Sequence, residues 1–262
     1  SDVCSSDLAD AILKHQDAIS TALEIDTGRR RIARMETLGA TGAIAGWVQQ
    51  APNLLPEGWT QGRSNPAIRH APQFVPYSLV GVISPWNFPL TLSMIDTIPA
   101  LLAGCAVIIK PSEVTPRFVE PLLDAIAEAG LSSILTFIQG DGETGAALID
   151  ASDAICFTGS VATGRKVAAR AAANMIPAFL ELGGKDPLII TASADLELAS
   201  DAALRGSVLS TGQACQSIER IYVQASVHDA FLEKLTAKAK AARLNWPDIS
   251  VGEIGPVIFD KQ

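Results

Sequence analysis

Cysteine is scarce, and none of the four present, Cys4, Cys105, Cys156 and Cys215, falls in a CxxC pair or beside histidines at metal-ligand intervals. That argues against a disulfide framework and against a zinc site, so no metal is expected, and a reducing, cytoplasmic setting fits best. Positive charge is in deficit: 20 Lys and Arg stand against 28 Asp and Glu, a formal net charge of -8. A surface of that sign repels phosphate backbones, and nucleic acid is not an expected partner. The one basic cluster, Arg29, Arg30, Arg31 and Arg34, reads as a solvated helix face. Long apolar runs are missing as well. No stretch reaches the roughly 18–20 residues that span a bilayer, and the start lacks a basic segment followed by an apolar one, so no membrane association is expected.

What is present suits a soluble α/β protein: 262 residues, 48% hydrophobic and 18% charged, enough for one large domain and part of another. The opening SDVCSSDL differs in pattern from the rest of the chain and is expected to be a non-native leader over residues 1–8. From Leu8 to about Gln50, apolar residues at helical spacing predict a pair of amphipathic helices broken near Asp26, Thr27 and Gly28. Residues 51–76 carry prolines and glycines and predict an extended excursion with edge-strand character. Then β-branched runs alternate with helical stretches: Val80–Ser84, Ala106–Ile109, Ile134–Ile138, Ala154–Phe157 and Ala178–Leu180. Starts 20 to 28 residues apart are the pitch of βαβ units, which predicts a doubly wound parallel sheet with helices on both faces. A further strand (Pro187–Ile190), a helix near Leu196–Leu209, a strand (Arg220–Val223) and a helix (Val227–Ala242) begin a second α/β domain. The expected division is 9–186, containing the excursion at 60–77, and 187–262.

Four segments carry candidate chemistry. Pro85-Trp86-Asn87-Phe88-Pro89 follows a strand, where open α/β sheets place ligands; two prolines fix the turn, and the Asn87 amide can donate to an oxyanion. Alone, the segment reads better as a turn with a packed Trp. Lys110-Pro111-Ser112-Glu113 ends another strand, and its Lys and Glu can both face ribose hydroxyls, or simply form an ion pair in a solvated turn. In Phe157-Thr158-Gly159-Ser160, Gly159 admits close approach of a pyrophosphate and Ser160 offers a helix cap. Upstream, Gly140-Asp141-Gly142-Glu143-Thr144-Gly145 matches GxGxxG, but the position about 20 residues on that should be acidic is Ser160, so the Rossmann fingerprint fails. Last come Leu180-Glu181-Leu182-Gly183-Gly184-Lys185 and Thr211-Gly212-Gln213-Ala214-Cys215, with Glu181 and Cys215 34 residues apart. Glu181 ends an apolar strand, where partial desolvation suits a general base, and Cys215 sits in a loop that can expose a thiol.

Together PWNFP, KPSE, GSxxxG, ELGGK and GQxCxxxxR resemble the aldehyde dehydrogenase family, from about Leu8 to the last residue. The resemblance implies a Rossmann-like cofactor domain followed by the beginning of a catalytic domain. It also implies Cys215 as nucleophile, Glu181 as the base that activates water, and Asn87 with the Cys215 N–H as oxyanion hole. Cofactor contacts are implied for Ile83, Ser84, Trp86, Lys110, Glu113, Gly142, Gly145, Gly159, Ser160, Gly164, Leu182 and Gly183. A carboxylate at Glu113 disfavours a 2′-phosphate, so NAD is preferred and NADP remains possible. Cys105 and Cys156 fall inside buried strands and are expected to be inert. The substrate expected is a small aldehyde, and relatives pair into homo-oligomers through the excursion. Complete family members are longer and carry a later ExFGP segment, which Glu253-Ile254-Gly255-Pro256 resembles only superficially. Alternatives are a nucleotide-binding fragment without activity, a coenzyme A-acylating relative, which would lack Glu181, and an acyl-phosphate reductase.

Overall fold

The computed structural model describes residues 2–252 and 254–260. Its first fifty residues form three helices, α1 (Asp2–Lys14), α2 (Gln16–Thr27) and α3 (Arg30–Leu54), where sequence periodicity predicts two. The break at Gly28 is as expected: φ is +65°, and its N–H caps α2 on the Glu24 carbonyl at 2.8 Å. The second break, at His15, has no glycine or proline to announce it, and helical hydrogen bonds continue on both sides of it. Residues 2–8 run uninterrupted into α1, and Leu8 is buried in the core.

Helix α3 extends through Pro52 to Leu54, shortening the excursion to a small antiparallel hairpin, β1 (Thr60–Gln61) with β2 (Arg69–His70). Trp59, Ile68, Phe74, Val75 and Tyr77 around it are exposed.

Five strands follow in a parallel sheet: β3 (Leu79–Ile83), β4 (Ala106–Lys110), β5 (Leu135–Phe137), β6 (Ala154–Thr158) and β7 (Ala178–Glu181). Each lies within a residue or two of its predicted run. Their order is β5-β4-β3-β6-β7, so the chain moves outward from β3 on one side and then restarts at β6 on the other. The turn of direction falls between β3 and β6, the place where doubly wound sheets leave a crevice beyond their carboxyl ends.

The alternation of side chains explains why both faces are covered. Val80, Val82, Val107, Ile109, Leu135, Ala154 and Cys156 point into one core, shared with α1, α2, α3 and the helices α4 (Pro89–Met94), α5 (Thr97–Leu102) and α6 (Val119–Glu128). Ile155 and Phe157, with Ile83, Ile108 and Leu180, point into a second core under α7 (Gly142–Ala151) and α8 (Val161–Ala173). All five residues of β6 are buried, which requires the near-continuous apolar sequence of a central parallel strand.

Beyond β7 the chain forms a parallel pair, β8 (Asp186–Ile190) with β9 (Ile218–Val223), carrying α9 (Leu196–Val208) and α10 (His228–Ala241). A small core of Ile190, Ala203 and Phe231 joins them. Between α9 and β9 lies the short 3-10 turn Leu209–Gly212, which leads to Cys215. Among the described residues no helix is long and apolar enough to cross a membrane.

Candidate active site

Parallel pairing brings the carboxyl ends of β3, β4, β6 and β7 to one edge. Ile83 sits opposite both Lys110 and Phe157, and Thr158 opposite Glu181. The pairing continues past the strands: the Ser84 N–H donates to the Lys110 carbonyl (3.1 Å) and the Gly159 N–H to that of Glu181 (3.0 Å). Ser84, Trp86, Lys110, Glu113, Gly159, Ser160, Leu182 and Gly183 therefore gather on this edge.

The glycines there fall into two kinds. A Cβ on Gly164 would lie 2.6 Å from Leu182, so this glycine allows close packing behind the edge, whereas one on Gly145 would make ordinary contact, 3.6 Å from both Ile83 and Lys110. Gly142 and Gly183 face open space, with nothing within 4 Å of such a Cβ. Gly142 belongs to the first turn of α7, which Asp141 caps by accepting the Glu143 N–H (2.9 Å). Ser160 caps α8 on the Thr163 N–H (3.2 Å) and is exposed with Val161 and Ala162, an arrangement able to receive an anionic group. Lys110 is only 5% exposed, and its ammonium donates to the Pro111 carbonyl (3.1 Å) and to Glu113 (3.3 Å), whose carboxylate reaches solvent.

The Cys215 loop is tied to this edge at two points. The Asn87 Nδ2 donates to the Gln213 carbonyl at 3.0 Å, which uses one of its two hydrogens and leaves the other for a ligand. A Cβ on Gly184 would lie 2.8 Å from the Cys215 carbonyl, so the Glu181-Leu182-Gly183-Gly184 segment passes against the backbone of the cysteine itself. Cys215 is exposed. Cys156 is buried, and burial, with a smaller contribution from Asp96, pushes its thiol up to about 12. Cys105 is buried immediately before β4 rather than inside it, and burial raises its pKa too.

Two expectations need correction. Glu181 is exposed, not desolvated: it ends β7, an outer strand of the sheet, whose residues are alternately half-buried and exposed. Its carboxylate is nonetheless close enough to Asp96 to add to the upward shift that burial imposes there. Arg29 is not part of a solvated face. It is 4% exposed and donates to the Ser210 hydroxyl and the Asn87 carbonyl, because it precedes the first turn of α3 and points under the site. Glu253, in the segment resembling ExFGP, lies outside the described residues.

Three supporting residues escaped the sequence. Gln213 is buried, its Nε2 donating to the carbonyls of Ser210 (2.8 Å) and Pro256 (3.2 Å) while its Oε1 accepts the Ile258 N–H (2.9 Å). Glu36, 2% exposed, accepts the N–H groups of Leu90 (3.1 Å) and Thr91 (3.0 Å) at the start of α4. A signal for Glu36 exists: it shares the buried stripe Ala33, Glu36, Thr37, Ala40, Ile44. Arg29 carries no such mark, and Gln213, although it stands in the GQxCxxxxR segment, has no local signal for its buried role.

A parallel sheet covered on both faces, with glycine-bearing turns at its carboxyl edge and an exposed cysteine in a loop tied to that edge, defines a doubly wound α/β protein. The chain belongs to the aldehyde dehydrogenase family, whose profile matches residues 4–262. It is 36% identical, over 97% of its length, to a Mycolicibacterium smegmatis protein named "Putative succinate-semialdehyde dehydrogenase [NADP(+)]", of which it covers 50%. Among solved structures, "Putative Aldehyde Dehydrogenase PutA" of Anabaena variabilis superposes with a TM-score of 0.94 at 52% identity, over 99% of this chain and 56% of that one. Betaine aldehyde dehydrogenase of Staphylococcus aureus in complex with NAD+ gives 0.88 at 31% identity, over 98% and 52%. The chain thus spans about half the length of the curated relatives it matches. Among these relatives one is an NADP(+) enzyme by name and one is an NAD+ complex.

Proposed function

We propose that the protein oxidises an aldehyde to a carboxylic acid, with Cys215 as nucleophile, Glu181 as base and Asn87 as oxyanion donor. The observation that carries this is the hydrogen bond from Asn87 to Gln213, which holds the oxyanion candidate against the loop of an exposed cysteine. A carbonyl carbon gives up hydride poorly, so it must first become tetrahedral. Attack by the Cys215 thiolate does this, and the second Asn87 N–H with the Cys215 N–H holds the resulting oxyanion. Loss of hydride re-forms the carbonyl as a thioester on Cys215; a nicotinamide, when bound at the sheet edge, would supply the hydride acceptor. Exposure gives Glu181 access to water, whose proton it takes as the oxygen attacks the thioester, freeing the acid and the thiolate.

The donor set at the sheet edge fits a dinucleotide. Lys110 and Glu113 would meet a ribose, and Gly159 and Ser160 a pyrophosphate. Ile83, Ser84, Trp86, Gly142, Gly145, Gly164, Leu182 and Gly183 would shape the surrounding wall. The solvent-reaching Glu113 carboxylate favours NAD over NADP, since a 2′-phosphate would be repelled there. Residues 9–186 would then form the cofactor half and 187–262 the beginning of the half that supplies the nucleophile. Water as acyl acceptor rests on Glu181, and with it the release of free acid rather than a coenzyme A ester.

The test is activity of the complete reading frame with NAD and NADP on a panel of aldehydes, with Cys215→Ala, Asn87→Ala and Glu181→Gln alongside. Cys215→Ala should abolish oxidation, and Asn87→Ala should lower kcat by about 100- to 1000-fold. Glu181→Gln should yield a burst of reduced cofactor of about one equivalent and then stall. Oxidation that survives in Cys215→Ala rules the mechanism out. Turnover that depends on coenzyme A or phosphate would transfer the protein to the acylating or acyl-phosphate class.

A further inference from the structure

We infer that Arg29 is a positioning residue for the reacting centre: its buried guanidinium locks the turn that carries Asn87 to the loop that carries Cys215. The inference rests on the roles proposed above for those two residues. One fork of the guanidinium reaches both partners, Nη1 donating to the Ser210 hydroxyl and Nη2 to the Asn87 carbonyl. Its Cζ also lies over the Phe88 ring, 5.2 Å from the ring centre, and Phe88 is the residue after Asn87. Arg29 is 4% exposed and Ser210 5%, so these are desolvated, charge-assisted contacts rather than a solvent-screened pair.

The loop it holds needs holding. Ser210 and Thr211 adopt left-handed φ angles of 57° and 60°, costly for residues with a Cβ and stable only when neighbours over-determine them. Arg29 fixes the first of these, and the Thr211 hydroxyl donates to the Gly255 carbonyl (2.9 Å) for the second. Five residues later the chain reaches Cys215. On the other flank of the turn, Glu36, two turns along the same helix, accepts the Leu90 and Thr91 N–H groups (3.1 and 3.0 Å). The Asn87 turn is therefore gripped on both sides by α3, and Asn87 itself grips the Cys215 loop through Gln213.

Burying a guanidinium is costly, and burial here brings its pKa down to about 10 although Glu36 opposes the shift. Its Nε finds no acceptor. An apolar side chain would fill this space at less cost if packing were the purpose, whereas two forked donors aimed at two separate segments serve registration. Lysine cannot replace it, because a single ammonium lacks that planar fork.

The test uses Arg29→Lys, Arg29→Ala and Ser210→Ala in the complete protein, with Cys215→Ala alongside. Arg29→Lys should lower kcat at least tenfold, in line with the cost of a misplacement of about 1 Å, while the KM for aldehyde and the Kd for NAD change less than about threefold. Arg29 lines an open cavity of about 530 Å³, so guanidinium ion at millimolar concentration has a path into the space left by Arg29→Ala. It should restore part of kcat, and methylammonium should not. The iodoacetamide rate at Cys215, followed by peptide mapping, should shift in Arg29→Ala and return with guanidinium. Should Arg29→Ala not fold, Ser210→Ala removes one acceptor while the Asn87 carbonyl keeps the guanidinium paired, and should still lower kcat with KM unchanged. A wild-type kcat per titrated Cys215 in the folded Arg29→Lys and Ser210→Ala variants, with no change in alkylation, overturns the inference and leaves the chemistry intact. Oxidation surviving in Cys215→Ala instead removes the functional reading, and the positioning role with it.

Discussion

The five-stranded sheet and the β8–β9 pair are built on the same parallel pattern, yet they are stabilised differently. The larger sheet is sandwiched: every residue of β6 is buried, and apolar side chains leave it on both faces. The smaller pair is covered on one face by α9 and α10, while Ile189 and Tyr222 on its strands are 71% and 53% exposed. A two-stranded unit has little core of its own. Exposed ion pairs run over its surface, with Lys238 reaching Glu197 and Asp201, Lys234 reaching Glu197, and Lys185 reaching Glu219. The scaffold that would hold a cofactor is thus rigid by packing. The loop that carries Cys215 draws its definition from outside its own unit, through Asn87, Arg29 and residues 255–258.

The contrast can be broken by experiment, most sharply through the thiols. With its pKa at about 12, only about one part in 10⁵ of Cys156 is thiolate at pH 7, so it should label with iodoacetamide only on unfolding. Cys215, exposed, should label in the native state; rapid native labelling of Cys156 would show that the larger sheet is not the sealed layer described. Next in size is the core itself. Phe118→Ala, at a fully buried site of the main core, should cost about 3–5 kcal/mol in denaturant unfolding, whereas Tyr222→Ala on the open face of β9 should stay within about 0.5 kcal/mol. Equal losses would erase the distinction between the two regions.

Glu36 sharpens the comparison from the acid side. Burial raises its carboxyl from 4.5 to about 7, despite the Leu90 and Thr91 N–H groups and Arg29 pulling it down. The fold therefore holds a proton that the unfolded chain releases. This group's stabilising contribution is complete below about pH 4.5 and is lost as the pH rises through 7. Glu36→Gln keeps an oxygen for the two N–H groups and removes the titration. The stability of the native protein relative to this variant should thus fall by about 3 kcal/mol between pH 4.5 and a little above 7, measured by urea unfolding across that window. A difference independent of pH would mean that water reaches the carboxyl. The smallest effect should come from Lys234→Ala, an exposed partner of Glu197, with a Tm close to that of the native protein at moderate salt.

Much of this was readable along the chain. Strand runs were visible because parallel strands buried on both faces need unbroken β-branched segments, and Gly28 marked a helix end because a left-handed cap favours glycine. The break at His15 left no trace, since one residue departs from helical geometry while the bonds around it persist. Glu181 was misjudged because strand order, which sequence does not give, made β7 an outer strand and exposed its end. Arg29 was misjudged because a cluster of four arginines within six residues looks solvated on any helix; only the packing of α3 beneath the 85–89 turn buries the first of them.

Sequence alone determined the alternation of strands and helices and the position of the ligand-facing turns at strand ends, because these depend on local pattern, and its motifs, through their family resemblance, made Cys215, Glu181 and Asn87 candidates. Tertiary structure decided which of those turns meet, which carboxylates are buried, and what holds the cysteine loop in its left-handed course. The physical reason is that burial and hydrogen-bond partners are properties of pairs distant in the chain: 181 residues separate Arg29 from Ser210, and 126 separate Asn87 from Gln213.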